Sequence, residues 1–275
     1  MTSSVPDWLR GLWKRISIET ADGQIGSQTQ VFYLQTSACF GDLRLPIDRP
    51  DLRQASFASL TSEEALALAQ QQGFAGIAQF KQDQFKQGQC EWLRYIDYQP
   101  SQPDRDLGLL YWQDDILIED GVDQVYREQW RKVDDGAGDY TALVWAEGAE
   151  DVTWQASLVI AGDYFIYSQN RPVALPAANA LSDCLATATT LQDQQTYLGC
   201  EISFGRCQAG REPWEIQRST LPWRESTALW SPSDLTVDLV QQRVLQTVPQ
   251  ADQRGACPVR VWEIREWGTG RAFQA

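Results

Sequence analysis

The side chains best suited to chemistry fall in short clusters. Arg218-Ser219-Thr220-Leu221-Pro222-Trp223-Arg224 crowds guanidinium, hydroxyl and indole groups into one segment. In an alternating strand, Trp214, Ile216, Arg218 and Thr220 share one face, and Glu215, Gln217 and Ser219 share the other. A partly buried guanidinium needs an acceptor. Such a wall therefore suits an anionic or aromatic ligand, although a carboxylate on a neighbouring strand would serve the arginine equally well. Trp92, Arg94, Ile96 and Tyr98 offer a similar face in the first half. Arg44 alternates with Asp42. It either lines the same cavity or pairs with Asp42 on the outer surface, where such a pair is worth under about 1 kcal/mol. Glu119 and Glu128 are the carboxylates best placed among aromatic residues, with Tyr126 and Trp130 beside them in sequence. On adjacent strands they would supply acid/base chemistry for a glycoside or an isomerisation if burial raised one pKa. Turn chemistry and solubility account for most acidic residues in so acidic a chain. The candidate ligand-binding set is Arg44, Trp92, Arg94, Tyr98, Glu119, Trp130, Trp214, Arg218 and Thr220, and no residue is assigned a catalytic role.

What the chain lacks narrows its chemistry further. Its 275 residues contain no histidine, which removes Ser-His-Asp hydrolysis, Cys-His proteolysis and the common histidine metal sites. The cysteines at 39, 90, 184, 200, 207 and 257 show no CxxC spacing and read as reduced, partly buried thiols, so no metal is expected. No GxGxxG motif opens a helix and no GxxxxGK[ST] occurs, so no nucleotide cofactor is expected either. A net charge of −14, without segregation of the basic residues, argues against a nucleic-acid partner. No apolar run is long enough to span a bilayer, and Asp7, Arg10, Lys14 and Arg15 stand where a signal peptide would be apolar. The expectation is a cytoplasmic protein with no membrane partner.

The elements that must position these residues read mostly as strands. Polar and apolar residues alternate over 14–19 and 91–98, and further strands are predicted over 107–112, 115–119 and 126–133. The second half supplies 141–145, 154–160, 163–167, 214–219, 234–239, 243–248 and 259–267. A repeat with an offset of about 122 residues organises the whole chain. Gly41-Asp42, Arg49-Pro50 and Trp92 match Gly162-Asp163, Arg171-Pro172 and Trp214, with 42 residues from Pro to Trp in each half. One helix occupies the same slot each time. The first follows the capping box Thr61-Ser62-Glu63-Glu64 and ends at Gly73, and the second is predicted from Pro176 to about Leu191. The Gly- and Asp-rich stretch 134–139 divides the chain into units 1–135 and 139–275.

Short antiparallel strands interrupted once by a helix suit a closed barrel, and a barrel of about eight strands can hold one small ligand. The expected fold class is all-β with one helix per repeat, as two antiparallel barrel units from an internal duplication. Around 40–46, 161–165 and 218–224 the chain resembles the lipocalin-like (calycin) barrels, and more closely a tandem family of uncharacterised bacterial and fungal proteins with that fold. Gly11-Leu12-Trp13 is similar to the Gly-x-Trp that lipocalins carry in their first strand. The resemblance implies a non-enzymatic binder of a small apolar or aromatic acid. Two alternatives accompany it. One is a histidine-free enzyme on the same scaffold, either an isomerase or a protein similar to the lipocalin-fold bilin lyases, which hold a tetrapyrrole and pass it to a protein cysteine. The other is an interaction scaffold whose barrels are filled by their own side chains.

Overall fold

The computed structural model describes residues 5–82, 88–147, 153–208, 212–248 and 258–273, so Cys257 lies outside the described residues. After a 3-10 turn at Asp7–Leu9, the first half runs β1 (Gly11–Thr20), β2 (Ile25–Gly26), β3 (Thr29–Gln35) and β4 (Phe40–Pro46). Helix α1 (Ser62–Ala69) follows, then β5 (Gln72–Gln82), β6 (Gly88–Asp97), β7 (Leu107–Gln113), β8 (Ile116–Gly121) and β9 (Tyr126–Asp134). The 3-10 turn Gly136–Gly138 leads into β10 (Tyr140–Glu147), β11 (Thr153–Ala161) and β12 (Tyr164–Gln169). Helices α2 (Leu181–Thr187) and α3 (Leu191–Leu198) precede β13 (Glu201–Arg206) and β14 (Glu215–Ser219). The chain finishes with β15 (Leu235–Asp238), β16 (Arg243–Thr247) and β17 (Val259–Trp267).

Local chemistry sets the helix limits. At α1 the Thr61 hydroxyl accepts from the Glu64 amide at 3.2 Å, and the Glu64 carboxylate accepts from the Thr61 amide at 2.8 Å. The helix stops at Ala69, short of the expected Gly73, because the Gln71 side chain donates to the Leu68 carbonyl at 3.1 Å and Gln72 already begins β5. Of the helix expected over 176–191 only α2 forms, and the further helix α3 begins at its end, where Thr190 and Asp193 form a fresh capping box.

All pairings are antiparallel, and each half is a meander whose first strand is flanked by its second long strand and its last. In the first half, β1 pairs with both β3 and β9, closing eight strands into a barrel, while β2 extends the far end of β1. In the second half, β10 pairs with β11 and β17, giving the order β14-β13-β12-β11-β10-β17-β16-β15. Among the described residues this sheet stays open. Two closed barrels were expected and one is found. The reason lies on the free edge of β14, where 226–229 pair instead of β15: the Ile216 amide donates to the Thr227 carbonyl at 2.9 Å, and the Leu229 amide to the Trp214 carbonyl at 2.8 Å. Two 3-10 turns beginning at Pro222 and Pro232 carry the chain across, and proline cannot donate to a ladder.

Three apolar clusters fill the molecule. Trp13, Tyr33, Phe40, Phe74, Phe80, Trp92 and Trp130 lie inside the barrel. Phe165, Tyr167, Trp214, Trp230, Trp262 and aliphatic neighbours fill the concave face of the second sheet. The third cluster joins the halves: Phe32, Leu34, Leu43 and Tyr98 meet Val159, Ile166, Ile202 and Phe204, with α1 and α2 along the margin. Phe32 and Phe204 stack at 4.1 Å. At Gly41 the sheets approach so closely that a Cβ would lie 2.6 Å from Ile166 Cγ2. The two units are therefore not separate barrels but sheets fused along one apolar layer.

The arginines of the two Arg-Pro pairs lock this layer reciprocally. Arg49 donates to the Ser219 carbonyl at 2.6 Å, to Gln71 Oε1 at 2.9 Å and to Glu225 at 2.5 Å. Arg171 donates to the carbonyls of Asp97 at 2.9 Å, Tyr98 at 2.6 Å and Tyr197 at 2.6 Å. Each arginine thus reaches the end of the strand, β14 or β6, that belongs to the other half. The Gly-Asp part of the repeat does not correspond in the same way. Gly41-Asp42 lies within β4, whereas Gly162-Asp163 forms the β11–β12 turn, with Gly162 at φ 58°. Among the described residues no helix is long and apolar enough to cross a membrane.

Candidate functional site: the cavity of the closed barrel

The barrel interior is not completely filled. A cavity of about 340 Å³ remains between the Trp13 end and a rim formed by Thr20, Gln124 and Val125. The Trp13 indole closes the floor, donating to the Leu9 carbonyl of the preceding 3-10 turn at 2.8 Å. Gly11, at φ 113°, allows this turn-to-strand entry, and a Cβ there would meet the Asp134 carbonyl at 2.3 Å.

Bulges decide which side chains face the cavity. The β1–β9 register shifts between Arg15 and Ser17, so Ile16 is extra and Ile18 and Thr20 join Trp13 on the cavity side. The β5–β6 register shifts between Gly76–Arg94 and Ala75–Ile96, so Tyr95 is extra. Trp92 and Arg94 face the cavity, while Ile96 and Tyr98 turn to the layer between the sheets.

The polar groups form one connected cluster. Asp42 and Arg44 pair in two-pronged fashion at 2.9 and 3.2 Å. Glu128 accepts from Arg15 in a short contact and from Arg44 at 3.4 Å, both through Oε1. Its Oε2 is buried and has no hydrogen-bond partner, and the residue is 2% exposed. Glu119, directly opposite Glu128 in the β8–β9 register, accepts from the Tyr126 hydroxyl at 2.8 Å and the Trp130 indole at 3.0 Å. Burial, reinforced by the charge on Glu128, pushes the Glu119 carboxyl well above the ordinary carboxylate range, against the pull of Tyr126 and Arg44. Burial also raises Asp42, opposed by Arg44. Gly108 leaves room for the Glu119 and Trp92 side chains, since a Cβ there would lie 2.9 Å from Glu119 Cγ and 3.1 Å from Trp92 Cζ3.

Between β6 and β7 the wall is paired over only four residues. Their ladder ends at Glu91–Leu107 and one further bond, from the Trp92 amide to the Asp106 carbonyl at 2.9 Å. Beyond it, Arg94 lies over the Phe74 ring at 3.6 Å and binds Asp106 at 2.6 Å and Asp97 at 3.1 Å. The same place in the second half, between β14 and β15, is where that sheet is open.

Of the residues singled out in sequence, Arg44, Trp92, Arg94, Glu119 and Trp130 converge on this cavity. The other four do not. Tyr98 belongs to the layer between the sheets, where its hydroxyl donates to the Leu68 carbonyl at 3.0 Å. Trp214 packs in the filled second sheet. Arg218 shares no wall with Trp214, because the register shift between Phe204–Arg218 and Gly205–Ile216 rotates it outward, where it binds the Gln217 carbonyl at 2.8 Å. Thr220 is buried as a bracket between the Ile202 amide and the Cys200 carbonyl, at 2.9 and 2.8 Å. Tyr33, Phe74 and Asp106 are cavity residues that alternation alone did not select, and Arg15 backs the cavity through its contact with Glu128. Arg15 falls on the polar side of the 14–19 pattern, and only the bulge at Ile16 explains its neighbours.

The inference of an acidic ligand rested on arginines in need of an acceptor. Here Arg44 and Arg94 have internal ones, Asp42 and Asp106, so that premise no longer holds. Among the described residues no three acidic or cysteine side chains are placed to hold a metal ion, and the five described cysteines are buried and unpaired.

No protein-family model matches the chain, and no curated protein does. Among solved structures it is similar to the uncharacterized protein YLR301w from Saccharomyces cerevisiae, with a TM-score of 0.55 at 10% identity over 94% of this chain and 98% of that one. At that identity the likeness concerns the fold.

Proposed function

We propose that the protein binds one small, mainly aromatic or apolar molecule inside the closed barrel, and that the second half serves as a packing partner without a ligand of its own. The observation carrying this reading is the contrast between the two interiors. The second is filled by Trp214, Trp230 and Trp262, while the first keeps about 340 Å³ between aromatic walls and inward polar groups. That volume lies at the small end of ligand pockets, which run from about 300 to 1,000 Å³. It suits a compact ring system better than an open-chain tetrapyrrole, which weighs against the bilin-type alternative. The reciprocal reach of Arg49 and Arg171 supports descent of the two halves from one unit, with ligand capacity kept in one copy only.

The neutral dye N-phenyl-1-naphthylamine tests the reading. Its emission is expected to rise on addition of the protein and saturate at one dye per chain. Leu110→Trp, which places an indole in the cavity, is expected to abolish that rise while far-UV dichroism stays native, at a cost of about 1–3 kcal/mol in stability. No emission change, or an undiminished one in Leu110→Trp, would overturn it.

A further inference from the structure

We propose that the ligand of the barrel is a small aromatic amine, its ammonium group hydrogen-bonded to Glu128 Oε2. The inference rests on the cavity reading above and adds the ligand's charge. Three guanidiniums face this region, and each already meets a carboxylate: Arg15 meets Glu128, Arg44 meets Asp42 and Arg94 meets Asp106. No cation is left over to receive an anionic ligand. The group left over is an acceptor. Glu128 is a lining residue of the cavity, it holds both of its arginines through Oε1, and its Oε2 is buried and unpartnered. A buried carboxylate oxygen without a donor is costly, and an N–H donor carrying positive charge satisfies it most strongly.

The surroundings favour the same ligand. Glu119 stands directly across the ladder from Glu128, so a cation bound at Glu128 has a second carboxyl side chain as its cross-strand neighbour. The indole N–H of Trp92 is committed to Tyr33 at 2.9 Å and that of Trp130 to Glu119 at 3.0 Å. Both rings therefore have only apolar and π surface to offer, which suits an aromatic body and a cation near it.

Three compounds sharing one ring system separate the possibilities by titration calorimetry: 2-naphthylmethylamine, 2-naphthylmethanol and 2-naphthylacetate. The expected order is amine, then alcohol, then acid, with the amine at least about tenfold tighter than the acid at neutral pH. Glu128→Gln replaces the free carboxylate with an uncharged amide and is expected to bring the amine to within about threefold of the alcohol. An acid that binds as tightly as the amine, or an unchanged order in Glu128→Gln, would overturn the inference while leaving a binding cavity in place. Absence of binding by all three compounds would count against the cavity reading as well. If Glu128→Gln does not fold, the wild-type order alone decides.

Discussion

Glu119 and Glu128 sit opposite one another, and the difference between them lies in their partners. Glu128 is met by two guanidiniums, while Glu119 is met only by the neutral donors Tyr126 and Trp130. Cys90, Asp106, Tyr33 and Arg44 complete its surroundings, and Arg44 supplies the one opposing cation. Its folded pKa is therefore raised by burial and by Glu128, whereas in the unfolded chain it ionises near about 4.3. Above that unfolded value the folded state keeps a proton that the unfolded state has lost, so this group lowers stability as pH rises. Glu119→Gln cannot ionise; its amide oxygen accepts from the Trp130 indole, and its NH2 donates to the Tyr126 hydroxyl oxygen, reversing that bond. Its melting temperature is expected to exceed wild type near pH 8, with the difference shrinking towards about pH 4–5. A pH-independent difference, or one larger in acid, would contradict the raised pKa.

At the scale of elements, the Arg-Pro pairs are the part of the sequence match between the halves that the fold uses in corresponding ways. Arg49→Ala removes the close guanidinium from Glu225, which is 8% exposed, and leaves that buried charge only the more distant Arg218 at 3.9 Å and the Ser219 amide, at a cost of about 3–5 kcal/mol. Arg171→Ala deprives only carbonyl oxygens and is expected to cost less, about 2–3 kcal/mol. Urea unfolding of the two variants checks the ranking, and equal or reversed losses would contradict it. Most strands were legible because alternation and turn residues marked them, as at 107–112 and 259–267. Two were not. Strand β5 reads Gln-Gly-Phe-Ala-Gly-Ile-Ala-Gln, poor in β-branched residues and joined to the end of α1, while β13 is short and follows α3 directly. The candidate site was half legible for a related reason. Alternation places Arg44 with Asp42 correctly, but a single bulge residue, Tyr95 in β6 or the shift before Arg218 in β14, moves every later side chain to the opposite face. No local sequence signal marks these bulges.

For the whole molecule, similar strand orders have led to different interiors. Closure by β1–β9 leaves the first half a walled space, and loss of the β14–β15 pairing lets 226–230 and Trp230 fold onto the second sheet and fill it. Charge follows the same division, since the buried carboxylate cluster of Asp42, Glu119 and Glu128 has no counterpart in the apolar cluster of the second sheet. The most direct measurement is a crystal structure of the protein soaked with 2-naphthylmethylamine. Density for the ring is expected inside the first barrel between Trp92 and Trp130, with the amine nitrogen about 2.8 Å from Glu128 Oε2 and the second sheet unchanged. An empty barrel at saturating amine, or a ring bound only elsewhere on the molecule, would contradict the account.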